Sequence, residues 1–492
     1  MGKAKIDTPG SAHAAMEWRL EKADSLLGGT ETMRAAGQTF LPKYSQETTK
    51  NWKSRLNRAV LFNYYKRTAR TLGGKPFSRD LKVEDADQKV QDCLDDINLQ
   101  GDDFHVVAQR EFTLALCKGL AIFLVDFPTN TAPNAAAEKA QHLRPYLVPI
   151  APENLLAAYT GVNENGEEIV THARIYSEDV ERVEYDEIKV ETIMVYEPGK
   201  WEKWVRRAPS KVYAMESSGV SKLAYVPLLC FYTEKEAPFV SRPTLEDLAD
   251  KNIEHWQSSS DQRHCLTVAR FPMLAGKGIQ KTEGEVVKVG PYETLFAENE
   301  HSEFYYVEHT GAALAAGVND LDSIKGEMAV LALELTTPKD RQTATSAMLD
   351  AGDHLSVLQM LSISFEDFLE RVLVVMGDWM DVPAEKCGDV KLHKEFNLSG
   401  LDAKMLDALV AARNAGDLDS KTFLLELQRR GYIGADWDVD ELVKAAQAES
   451  DVRAKKAMDL AIRAKQATQP ATKPEPKSGD TGSTAGGKTP PA

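Results

Sequence analysis

The reading of this chain turns on two stretches, SRPTLEDLADKNIEHWQSSSDQRHCLTVARFP (241–272) and VNDLDSIKGEMAVLALELTTPKDRQTATSAM (318–348). In the first, Thr244-Leu245-Glu246-Asp247 after Pro243 is a helix-start signature. The helical pattern runs to about Val268, and Phe271-Pro272 closes it. In the second, Leu321, Ile324, Met328, Leu331 and Leu335 recur at alternating intervals of three and four, a heptad seam made to pack against a neighbouring helix. That helix is expected over 318–335 and spans about 27 Å at 1.5 Å per residue. Thr336, Thr337, Pro338, Lys339, Asp340, Arg341, Gln342 and Thr343 then break the pattern with a polar, basic-tipped loop. A third helix is expected over 344–380, with Met348, Leu355, Leu358, Phe365, Phe368, Val372 and Trp379 on one face over about ten turns. Between the first two helices, residues 271–316 read as short strands and turns with seven Glu against three Lys.

Upstream, residues 1–30 read as a polar segment with a short amphipathic piece around Met16–Leu27 that ends at Gly28-Gly29. Residues 46–72 read as one helix, with Trp52, Leu56, Ala59-Val60, Asn63-Tyr64 and Thr68 on one face and Gly73-Gly74 as its stop. Helical blocks follow at about 83–98 and from Phe104 to Gly119, and Ala121–Phe127 is a short buried strand. From 145 to 232 strand-like runs alternate with turns, Asn165-Gly166 being a strong hairpin signal and Glu197-Pro198-Gly199-Lys200 another. Downstream, helices are expected at about 401–414, 420–430 and 438–465, followed by a Pro/Gly/Thr/Ser/Lys tail that reads as disordered. An antiparallel β region joined to a helical one makes the class α+β.

The 492 residues suffice for two to four domains. A formal charge of −16 argues against a protein that wraps nucleic acid through a broad basic face, but not against one past which a polyanion slides. Cys93, Cys117, Cys230, Cys265 and Cys387 are scattered without a CxxC pair, as expected of reduced, mostly buried thiols. No apolar run follows the basic start and none reaches membrane-spanning length, so neither a signal peptide nor a transmembrane helix is expected.

Chemistry-bearing motifs are few. There is no HExxH and no GxSxG, and Gly73-Gly74-Lys75 lacks Walker A spacing. Gly276-Lys277-Gly278 is half of a GxGxxG at best. His301 and His309 read as a solvated pair rather than metal ligands. The aromatic cluster Trp52, Phe62, Tyr64 and Tyr65 has the spacing of core, and Trp201 and Trp204 that of cross-strand packing. No catalytic residue, metal ligand or cofactor is assigned.

The order of elements resembles the portal proteins of tailed bacteriophages, and most the family of phage portal proteins labelled as a domain of unknown function. The segments that carry it are Phe40-Leu41-Pro42-Lys43-Tyr44, Trp52 to Ala59 with Asn63-Tyr64, Leu72 to Phe77, Arg144-Pro145-Tyr146, Ala151-Pro152-Glu153-Asn154 and Val226-Pro227-Leu228. The most telling is Pro243 to Asn252 with His255-Trp256-Gln257 and Ser260-Asp261, and Thr343 to Ala347 is the last. The resemblance covers about 35–450.

It implies an elongated subunit of a ring, a dodecamer in the family, at one capsid vertex. It assigns 31–240 to a wing, 241–269 and 317–335 to two stem helices, 270–316 to a clip and 336–343 to a tunnel loop facing DNA. Residues 344–396 would be the long wing helix with its connection, 397–465 a crown and 466–492 a tail. Asp320, Asp322, Glu327 and Glu334 would line the channel and repel phosphate, Lys339 and Arg341 would form a narrow band of weak phosphate contact, and the 321–335 seam would pack subunits. The implied partners are double-stranded viral DNA, the terminase large subunit, a head–tail adaptor, the major capsid protein and a scaffold, with no membrane. Two other readings stay open: another capsid-vertex or connector ring without a DNA-facing loop, and an α+β enzyme such as a nuclease or ligase.

Overall fold

The computed structural model describes residues 5–128, 143–163, 165–270, 273–278, 301–307, 312–335, 356–394, 396, 403–429, 433 and 437–467. The chain divides into two units, 1–397 and 398–492. Its class is α+β, as the alternation of periodicities predicts.

In chain order the first unit opens with helices α1 (Ser11–Gly28), α2 (Thr30–Ala36), α3 (Thr49–Arg58) and α4 (Tyr64–Gly74), strand β1 (Lys82–Glu84), and helices α5 (Gln88–Leu94) and α6 (Phe104–Lys118). The amphipathic piece expected around Met16–Leu27 lies in α1, which puts Met16, Leu20 and Leu26 into the core. Residues 46–72 do not form one helix. Ala59 is extended, with ψ 136, and Asn63 caps a new helix by accepting from the Lys66 amide. The block at 83–98 is only partly helical, because β1 pairs with a distant strand before α5 begins.

The Asp103 carboxylate caps α6 by accepting from the Val106 amide at 2.7 Å. At its other end Gly119 takes φ +85, and a Cβ there would lie 3.1 Å from the Ser241 carbonyl. The chain turns directly into β2 (Leu120–Asp126), the centre of a three-stranded antiparallel sheet with β3 (Tyr146–Ile150) and β9 (Leu228–Tyr232) on its flanks. Strand periodicity explains why β2 is apolar throughout. Ala121, Phe123 and Val125 face one core, while Leu120, Ile122 and Leu124 face another. That second core is shared with α1 and a five-stranded meander: β4 (Leu155–Val162), β5 (Glu168–Val183), β6 (Asp186–Glu197), β7 (Lys200–Arg207) and β8 (Ala214–Val220). Within the stretch expected to alternate strand and turn, β5 runs unbroken from Glu168 to Val183 and ends at the turn before β6.

After the short pair β10 (Lys235–Ala237) and β11 (Val240–Ser241) comes α7 (Glu246–Ala269). Strands β12 (Met273–Lys277) and β13 (Glu303–Val307) pair antiparallel across the segment expected as a clip, and residues 279–300 between them lie outside the described residues. Helix α8 (Ala312–Glu334) starts six residues before the expected 318. Residues 336–343 and 344–355 also lie outside the described residues. The expected ten-turn helix is corrected at its start. Ser356 is extended, with ψ 157, and forms a capping box with Gln359, so α9 runs Val357–Met380 over about 36 Å. It fills the main core with Phe365, Phe368, Val372 and Met376, and strand β14 (Asp389–Lys391) then pairs with β1.

The second unit comprises α10 (Ala403–Ala415), α11 (Ser420–Arg429) and α12 (Val439–Ala467). Asp419 caps α11, and Lys421 pairs with Asp440 at 2.7 Å to tie α11 to α12.

Candidate functional site

Helices α7 and α8 form the pair on which the sequence reading turns, and their contacts set the geometry. Gln262 donates to the Leu314 carbonyl at 2.8 Å, Ser258 to Asp320 at 2.6 Å, and Lys251 meets Glu327 at 2.7 Å. One number falls as the other rises, so the helices run antiparallel. The seam residues point into this pairing. Ile324 and Met328 are buried, and Leu331 and Leu335 pack against the same main core. The neighbouring helix that the heptad rhythm demands is therefore α7 of the same chain. Of the residues expected to pack subunits, Ile324 and Met328 are buried within this chain.

The four acidic residues assigned to a channel wall separate in the same way. Asp320 and Glu327 turn toward α7, one accepting from Ser258 and the other paired with Lys251. Donating side-chain hydrogen bonds to Glu327 and Glu254 holds the Lys251 ammonium above the usual lysine range. Asp322 pairs with Lys325 one turn on, at 3.1 Å, and Glu334 is exposed. The tunnel-loop residues Thr336 to Thr343 lie outside the described residues.

The face of α8 opposite the seam carries Val318, Val330 and Leu333, 49%, 56% and 51% exposed, with Gly326 and Ala329 also exposed. This outer face, which also carries the exposed Asn319 and Asp322, went unread in the sequence.

The root of α7 is bound to the first helices through polar joints. Asn252, fully buried, accepts from the Tyr65 amide at 2.8 Å and donates to the Phe62 carbonyl at 3.0 Å, holding open the break between α3 and α4. Gln257 donates to the Phe40 carbonyl at 3.0 Å, and Trp52 Nε1 to the Leu41 carbonyl at 2.9 Å. Arg55, with a side chain 2% exposed, binds Glu47 at 3.0 Å, Asp261 at 3.1 Å and the Pro42 carbonyl at 2.7 Å. Its hydrogen bond holds the Glu47 carboxyl below the usual range. Of the motifs behind the resemblance, Phe40 to Tyr44, Trp52 to Ala59 with Asn63-Tyr64, and Pro243 to Asp261 thus meet at one joint. His255 sits beside them against the Phe62 ring, 5.4 Å between centroids, with neither ring nitrogen hydrogen-bonded. Burial lowers its pKa, Lys325 adding to the effect and Asp320 opposing it.

A separate cavity of about 1120 Å³ is walled by Tyr146, Tyr196, Trp201, Tyr225 and Trp379. Burial raises the Asp126 carboxyl there and pushes Tyr146 up to about 12. Trp52 and Tyr65 are core as expected, and Trp201 and Trp204 pair across strands with Tyr196 and Ile193. Among the described residues no group of three or more His, Cys, Asp or Glu is placed to hold a metal ion, and no helix is long and apolar enough to cross a membrane.

No curated protein matches this chain. Similar solved structures include the neck of an empty GTA particle computed with C6 symmetry, at 12% identity and TM-score 0.37, over 73% of this chain and 88% of that one. They also include the virion of a native gene transfer agent particle, at 10% identity and TM-score 0.34, and the neck of a native GTA particle computed with C12 symmetry, at 12% and 0.34. Both cover 73% of this chain and 88% of the other. Residues 244–380, which hold the antiparallel pair and α9, match the family described as Domain of unknown function (DUF4055), and the central stretch of this chain is similar to that family.

Proposed function

We propose that this chain is a structural subunit of a phage-type head–tail connector, a portal ring at one capsid vertex through which double-stranded DNA is packaged and ejected. The observation that carries it is the two-faced α7–α8 pair. One face of α8 is closed inside the subunit, and the other presents Val318, Val330 and Leu333 to solvent. Apolar side chains lined along one helix are covered in the working state, and identical neighbours around a ring cover every copy by the same contact. The match of residues 244–380 to a domain-of-unknown-function family and the portal resemblance of the motifs support the same reading.

On this reading 336–343 face the bore, the β12–β13 end meets the terminase motor and later the adaptor, and the wing and crown meet capsid protein and scaffold. Glu334 is the acidic residue of α8 left for the channel wall, because Asp320 and Glu327 serve the α7 contact and Asp322, four residues after Val318, shares its face and pairs with Lys325. Packaging energy comes from the partner motor, and the subunit itself performs no chemistry. Negative-stain images of the purified full chain test the proposal: rings with a central hole are expected, and compact monomers at every concentration overturn it.

A further inference from the structure

Where α3 crosses α7, beside the buried Arg55, lies a cavity of about 20 Å³ lined by Arg55, Arg58, Ser260, Arg263, His264 and Thr267. It has room for one oxygen-sized group. Ser260 is 3% exposed and its hydroxyl has no partner, although a helical serine ordinarily returns its proton to the carbonyl four residues back. The buried Nδ1 of His264 is unpartnered as well. Arg58 reaches across to Thr267 at 3.3 Å and back to Ser54 at 2.8 Å, and Arg263 is exposed. Among the described residues neither guanidinium forms an ion pair. No Asp or Glu among the described residues lines the cavity, and Glu47 and Asp261 are engaged by Arg55.

We propose that this pocket is a phosphate subsite: one non-bridging oxygen enters the cavity and meets the Ser260 hydroxyl, while the phosphorus and its other oxygens lie at the mouth between Arg58 and Arg263. The donor set favours that chemistry. Two guanidiniums without acidic partners in a chain of net charge −16 are a local reversal of sign. Their planar forks suit a tetrahedral oxyanion, and the inner hydroxyl supplies a donor from a third direction. A water would fill the cavity but leave both guanidinium charges unmatched. The phosphate belongs either to a nucleic-acid backbone or to free inorganic phosphate. All the groups come from one subunit, so the site stands whether or not subunits form a ring.

Calorimetric titration of the full chain with inorganic phosphate at low salt tests it. One saturable phosphate per chain is expected. Ser260→Ala should weaken it about tenfold, as loss of a hydrogen bond to a charged group does, and Arg58→Gln with Arg263→Gln should weaken it by more. Arg263 is exposed, so Arg263→Gln alone keeps the test alive if the other variants fail to fold, which thermal melts would reveal. A short DNA duplex added to phosphate-loaded protein distinguishes the sources. Release of phosphate assigns the site to a nucleic-acid backbone, retention assigns it to the free anion, and either supports the pocket. Absence of saturable binding, or binding unmoved by Arg263→Gln, overturns it and leaves a water site.

Discussion

Asn252 bridges elements that no local pattern connects. Its amide satisfies the Tyr65 N–H and the Phe62 carbonyl, both of which the break between α3 and α4 leaves without a helical partner. The Phe62 carbonyl keeps the Tyr64 amide at 2.9 Å, so Asn252→Ala should strand the Tyr65 N–H and cost about 1–3 kcal/mol. Urea unfolding checks this: a lowered midpoint at unchanged slope is expected, and a loss below about 0.5 kcal/mol would show that water takes over the bond. His255, three residues on, makes the fold sensitive to acid. Burial holds its folded pKa below the ordinary value, so the fold favours the neutral ring beside Phe62. Above about pH 6.5 both folded and unfolded states are neutral and its contribution is fully present. As pH falls the unfolded chain takes up the proton first, so stability is lost down through the folded pKa. Unfolding free energies between about pH 6.5 and 5 should decline more steeply in the native sequence than in His255→Leu. Equal slopes would mean that the ring finds a proton acceptor in the fold.

The α7–α8 pair shows what periodicity can and cannot say about an element. The three-and-four rhythm of Leu321, Ile324, Met328, Leu331 and Leu335 marks one side of α8, on which Ile324 and Met328 are buried and Leu331 and Leu335 partly so. Rhythm has no information about whose helix does the burying, because an intrachain partner and a neighbouring subunit ask for the same spacing. The opposite side was illegible for a related reason. Val330 and Leu333 fall among seam residues in sequence and only the helical turn separates them. The two sides predict opposite outcomes on substitution. Met328→Ala removes a fully buried side chain and should cost about 2–5 kcal/mol in subunit stability. Val330→Asp with Leu333→Asp changes exposed positions and should alter subunit stability by about 0.5 kcal/mol or less per site while abolishing assembly. Sedimentation velocity beside thermal melts separates the cases, and rings that persist in the double variant would place the subunit contact elsewhere.

At the scale of the whole molecule, legibility followed the range of the interactions. Elements held by their own pattern were readable: α6 with its cap, the apolar β2, the hairpin signals at Asn165-Gly166 and Glu197 to Lys200, and most of the meander. Elements set by distant partners were not. The break at 59–63 depends on Asn252 and on Arg34, which binds the Ala59 carbonyl, and the burial of α1 depends on a sheet formed far downstream. The motifs of the candidate site were visible as a resemblance, while their physical meaning, a single joint between α3, α4 and α7, required the fold. Charge supplies a prediction that only the assembled state can answer. The chain carries a formal −16, so closing the proposed ring would gather like-charged bodies whose repulsion is long-ranged at low salt. The contact proposed for α8 is apolar, and salt leaves its attraction intact while shortening the repulsion to a Debye length of about 10 Å at 0.1 M. At fixed protein concentration the ring fraction should therefore rise several-fold between about 0.02 and 0.3 M sodium chloride, measured by sedimentation velocity. An interface built from complementary ion pairs would do the opposite, because added salt would weaken the attraction itself. Rings that dissociate as salt rises would remove the apolar face of α8 from the subunit contact.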